Sequence, residues 1–178
     1  VVRHSNQRVK YIPWLENIYS KEPQNNDLIC CWQSIGQQDK LSCFSRSVNI
    51  SDCVKFYRTL FECNSNLSVT DITNWRGWEK NLIKNCGVNL YDPTIGDLKD
   101  LMKIMVGKKV ITIDTAFAHL CASMGHNAII LLPKYPDERW QELRQKGNSY
   151  QKYLKFIPQE KYGCWEKPLK KALELLYL

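Results

Sequence analysis

Asp114, Thr115, Ala116 and His119 stand in the run I-T-I-D-T-A-F-A-H at Ile111 to His119, and their types and spacing suit an oxygen-rich anion. Asp114 or Thr115 at the start of a helix would cap it, leaving the backbone N–H groups of Ala116 and Phe117 without partners inside the helix. Those donors and the positive end of the helix dipole attract an anion such as a diphosphate. Ala116 is small enough for a ligand to come close to the backbone. Thr115 and His119, four residues apart, share a helix face, so a hydroxyl and an imidazole would meet the same oxygens. Each residue also has a plainer use, Asp-Thr as a cap alone and His119 as a structural hydrogen-bonder.

The flanking sequence supplies the elements that would hold these residues. Val110 to Ile113 is a β-rich run, a helix-compatible stretch runs to Met124, Gly125 stops it, and Asn127 to Leu132 is a second apolar run closed by Pro133. Strand, helix, strand at this length is a right-handed βαβ unit with its first loop at the carboxyl edge of a sheet, where open α/β sheets bind ligands. Two other loops are expected on that edge. The first, Ser34 to Ser45, is closed by Arg46, whose planar fork suits phosphate oxygens, and Ser47, a further hydroxyl donor. The second contains Asp137, Arg139 and Trp140, with Trp140 either stacking on a sugar face or anchoring the core.

Along the rest of the chain, residues 1–26 read as an extended entry segment packed on a domain of residues 27–178. Strands are expected at Asp27 to Gln33, Leu67 to Ile72, Val88 to Tyr91 and Tyr153 to Ile157. Helices are expected from Cys53, capped by Ser51-Asp52, to about Cys63 with Val54, Tyr57, Leu60 and Phe61 inward, and at Trp75 to Cys86 with Trp78, Leu82 and Ile83 inward. Asp97 to Met105, with Leu98, Leu101, Met102 and Met105 as its buried stripe, Glu138 to Lys146 and Pro168 to Leu176 complete them. Alternation of this kind implies an α/β fold, a doubly wound parallel sheet of about five strands with helices on both faces.

A chain of 178 residues fits one such domain, and its apolar runs are too short to cross a bilayer. The polar opening V-V-R-H-S-N-Q-R carries no apolar signal-peptide core, and the missing initiator Met suggests a piece of a longer protein. The net charge of +7 is spread without a basic arm or recognition motif, which argues against nucleic acid and suits an anionic small ligand. Eight Cys form no C-x-x-C pair, so free thiols, no metal and a reducing cytoplasm are expected. No G-x-G-x-x-G opens a helix, which disfavours a nucleotide-binding oxidoreductase.

The run I-T-I-D-T-A-F-A-H-L-C-A-S-M-G resembles the signature D-S/T-G/A-x-x-H-L-A-x-A-x-G of the heptosyltransferases, glycosyltransferase family nine, and especially their tetratricopeptide-linked relatives. I-P-W-L at Ile12 to Leu15, the segment Cys31 to Val48 ending in R-S-V, and D-E-R-W at Asp137 to Trp140 resemble further segments of those relatives in the same order. The resemblance implies the carboxyl-terminal, Rossmann-like half of a GT-B glycosyltransferase. It implies a nucleotide-diphosphate sugar as donor substrate, a glycan, lipid or protein acceptor, and metal-independent transfer without a cofactor. It places Thr115, Ala116 and His119 around the diphosphate, with Asp114 orienting the turn and Arg46 approaching from the opposite loop. The catalytic base would belong to an amino-terminal domain absent from this chain, so these residues alone would bind a donor without turning it over. A non-catalytic scaffold that kept the fold is the alternative. D-T-A in place of the family's frequent D-T-G, and the divergent loop Ser34 to Ser45, depart from the pattern.

Overall fold

Strands that are apolar at nearly every position are buried on both faces, and helices must then cover both faces. The computed structural model, which describes residues 27–33, 46–92, 97–138, 140 and 153–177, has this arrangement. Six strands, β1 (Leu28–Cys31), β2 (Val69–Asp71), β3 (Asn89–Leu90), β4 (Lys109–Ile113), β5 (Ala128–Leu132) and β6 (Leu154–Pro158), form one sheet. All neighbours pair in parallel, in the order β3-β2-β1-β4-β5-β6. Among the described residues, five helices lie between and after them: α1 (Ile50–Cys63), α2 (Trp78–Lys84), α3 (Leu98–Met105), α4 (Ala116–Ser123) and α5 (Glu166–Leu176).

The two-residue period of the strands divides the interior. Leu28 and Cys30 of β1, with Ile111 and Ile113 of β4, pack with Tyr57 and Leu60 of α1 and Leu169 and Ala172 of α5. Ile29 and Cys31, with Val110 of β4, face the other way, into Met102 and Met105 of α3 and Phe117, Leu120 and Cys121 of α4. The order of strands reverses at β1 and β4, so the carboxyl ends of these two strands border the crevice that doubly wound sheets use for ligands.

Several local expectations are corrected. The six strands are those expected, with Asn89 and Leu90 and Leu154 to Pro158 at the two edges, and only bounds, caps and inward faces change. The cap of α1 is Asn49, whose side chain accepts the Asp52 N–H at 2.9 Å, and its fully inward residues are Cys53, Phe56, Tyr57 and Leu60, with Val54 and Phe61 only partly covered. Asp97 caps α3 in a reciprocal box with Asp100, and Leu98 is exposed while Met102 and Met105 are buried. The largest change is at α2, which starts at Trp78 rather than Trp75. Trp75 precedes the helix and is buried, its indole N–H donating to Asp71, whereas Trp78 is 64% exposed and Leu82 is 39% exposed. A buried acceptor for one indole decides which Trp turns inward, and helical spacing alone carries no trace of it. Ile83→Ala is therefore expected to cost about 2–4 kcal/mol in urea unfolding, and Trp78→Ser to stay within about 0.5 kcal/mol.

Cys30, Cys31, Cys53, Cys63, Cys86, Cys121 and Cys164 are all free. Among the described residues, no helix is long and apolar enough to cross a membrane, and no group of His, Cys, Asp and Glu gathers to hold a metal ion. The expected entry segment 1–26, the loop Ser34 to Ser45, most of the helix expected at Glu138 to Lys146, and Arg139 lie outside the described residues.

Candidate functional site

Strand β4 ends at Ile113 because its pairing with β5 ends there, and the chain turns through Asp114 and Thr115 into α4. Thr115 occupies the cap position with extended backbone, yet its side chain makes no capping bond. The first bonds of α4 run from the Ala118 and His119 N–H groups to the Thr115 carbonyl, so the N–H groups of Ala116 and Phe117 precede the ladder, as helix geometry requires. Ala116 is exposed, and Thr115 and His119 are half-buried. Gly125, at φ +63°, takes the left-handed conformation that ends the helix.

Asp114 does not cap. It is 2% exposed, and both carboxylate oxygens are engaged by distant side chains. Oδ2 accepts from Nη2 of Arg46, whose side chain is 30% exposed, in an ion pair across the β1/β4 crevice. Oδ1 accepts from Nε1 of Trp140 at 2.6 Å. The segment carrying Arg46 and Ser47 is fastened by the Val48 N–H to the Trp32 carbonyl at 2.9 Å and by the Trp165 Nε1–H to the Ser47 carbonyl at 2.8 Å. Arg46, Ser47, Asp114, Thr115, Ala116, His119 and Trp140 thus sit on segments that follow β1, β4 and β5 at one edge of the sheet.

Trp140 is placed differently from a sugar-stacking residue. It is fully buried, stacked on His119 with ring centres 4.5 Å apart and planes 17° apart, and tilted against Phe156 at 5.6 Å. Its ring is covered by those neighbours, so of the two uses open to it the inward anchor is the one observed.

Sequence reasoning missed the supports of this edge. Thr112 and Thr115 hydroxyls approach to 3.3 Å beneath the turn. Burial first, with the nearby Asp71 carboxylate second, pushes the Cys31 thiol up to about 12, so it stays protonated and offers no nucleophile. Beside it, Asp71 at the end of β2 is fully buried and accepts from Tyr57 Oη, Trp75 Nε1 and the Thr73 N–H. An aspartate closing an apolar strand was the available signal. A cavity of about 210 Å³ opens on the same edge beyond β2 and β3, between Thr73, Lys80 and Tyr91. Another, of about 300 Å³, lies at the opposite edge by Leu28, Lys109 and Leu176, away from the turn at Asp114.

No family model matches the chain. No curated protein sequence matches it either. Among solved structures it is similar to one assigned as a UDP-N-acetylglucosamine 2-epimerase from Listeria monocytogenes, with a TM-score of 0.57 at 17% identity. The chain's α/β fold, a doubly wound parallel sheet, resembles one half of that neighbour's GT-B-like architecture. The superposition covers 97% of this chain but only 41% of that one, so the chain spans about two fifths of its neighbour's length.

Proposed function

We propose that this domain binds a nucleoside-diphosphate sugar at the start of α4 and serves as the donor half of a glycosyltransferase acting on a glycan, lipid or protein acceptor. The observation that carries the reading is the start of α4 itself. An exposed Ala116, a half-buried Thr115 hydroxyl and helix N–H groups lie at the strand-order reversal, with a guanidinium across the crevice. These groups would bind the diphosphate through hydrogen bonds and the helix dipole, and in a transfer they would stabilise it as it leaves, without a metal ion. His119 and Ser47 would add contacts, and Arg139 stays in the proposal on the resemblance alone. The catalytic base would come from a domain outside this chain. Sugar-nucleotide recognition is common to the transferases the sequence resembles and the enzyme named for the structural neighbour, and both likenesses support that part of the reading.

A scaffold without a donor site is the second reading, favoured by Asp114, which already neutralises Arg46. Calorimetric titration with UDP, ADP and GDP separates the two: binding of any supports the donor site, and binding of none supports the scaffold. Ala116→Glu gives the sharper test, because a carboxylate at this exposed position repels an incoming anion yet suits the helix dipole. Nucleotide affinity should fall about tenfold or more while stability changes by no more than about 0.5 kcal/mol. Unchanged affinity would place the ligand elsewhere.

A further inference from the structure

The geometry points to Trp140 as a positioning residue that keeps the Asp114 carboxylate away from the helix donors a diphosphate needs, an inference that rests on the donor-site reading above. Asp114 immediately precedes the cap residue of α4, and its carboxylate is the anionic group nearest to the Ala116 and Phe117 N–H groups in sequence. A carboxylate in that position is drawn to unpaired helix N–H groups and would occupy them as an internal anion. It is turned aside because Oδ1 is held by the Trp140 indole N–H at 2.6 Å and Oδ2 by Arg46. The indole is itself fixed, stacked on His119 on α4 and packed against Phe156 on β6, with no exposed surface. One buried ring therefore joins the turn after β4, the helix it begins and the edge strand β6. It sets the direction of a carboxylate rather than touching a ligand.

Trp140→Phe keeps an aromatic ring against His119 while it removes the N–H donor together with part of the indole, and the double variant below separates the two losses. With UDP as the probe, this variant should bind about tenfold more weakly than the parent, the cost of one hydrogen bond to a charged group. In an Asp114→Ala background the same Trp140→Phe change should have almost no further effect, since the carboxylate it restrains is gone. An equal tenfold loss in both backgrounds would overturn the inference and make Trp140 a packing residue or a direct contact. A second readout needs neither ligand nor the double variant. In nitrogen-15 spectra the Arg46 side-chain N–H should exchange slowly with water in the parent and quickly in Trp140→Phe, because a freed carboxylate swings away from the guanidinium. Unchanged exchange would refute the role even where UDP binds. If the parent binds none of UDP, ADP and GDP, the donor-site reading fails, and the exchange experiment alone decides whether Trp140 directs Asp114.

Discussion

Asp114→Ala lowers the stability of the domain by about 3 kcal/mol and its thermal midpoint by roughly 6–12 °C. Two losses add up. The Trp140 Nε1–H, buried with its ring, loses its acceptor, which costs about 1–3 kcal/mol because no water reaches it. Arg46 loses a charge-assisted bond, but its side chain is 30% exposed and regains hydration, so this second loss falls short of a fully buried ion pair. Asp114→Asn should be milder, since its amide oxygen can still accept from Trp140 while its NH₂ group replaces the oxygen facing Arg46. Urea unfolding of the three proteins measures this order. A loss below about 1 kcal/mol for Asp114→Ala would mean that the indole finds another acceptor and that the ion pair with Arg46 contributes little.

Asp71 governs how stability depends on pH. Burial raises its carboxyl from 3.8 to about 6, against the lowering effect of hydrogen bonds from Thr73, Trp75 and Tyr57. The folded state thus holds this proton more tightly than the unfolded chain does. Its contribution is fully present below the unfolded value near 3.8 and is lost as pH rises through about 6. A difference of about two pH units corresponds to about 3 kcal/mol between pH 4 and pH 7. His126 works in the opposite sense. Burial lowers its imidazole from the ordinary 6.5, so its contribution is present above that value and is lost as pH falls through the folded one. The measurement is therefore the difference between the parent and Asp71→Asn across pH 4 to 8, in which the His126 effect cancels. The parent should lose stability relative to the variant as pH rises. The variant should be the less stable at acid pH, because its NH₂ must face the Thr73 N–H or the Tyr57 and Trp75 donors. A pH-independent difference would show that Asp71 is charged throughout the range.

The sequence by itself determined the βαβ unit at the centre of this protein. Val110 to Ile113, the Asp114-Thr115 start and the Gly125 stop are written in adjacent residues, because strand propensity, helix starts and left-handed glycine turns are properties of a few consecutive positions. The same local logic indicated a parallel sheet with its ligand edge at Asp114. What Asp114 does was settled only by tertiary structure. Its partners lie 68 residues before it and 26 after, on segments brought together by the placing of β1 and β5 on either side of β4. The inward turn of Trp140 onto His119 has the same cause, whereas Trp75 turns inward toward Asp71, only four residues before it. The Trp140 indole is buried where a hydrogen-bond acceptor, Asp114, and a second ring, His119, await it, and both are supplied by chain more than twenty residues away in sequence. Periodicity records which positions are apolar, while the order of the strands decides which of them meet.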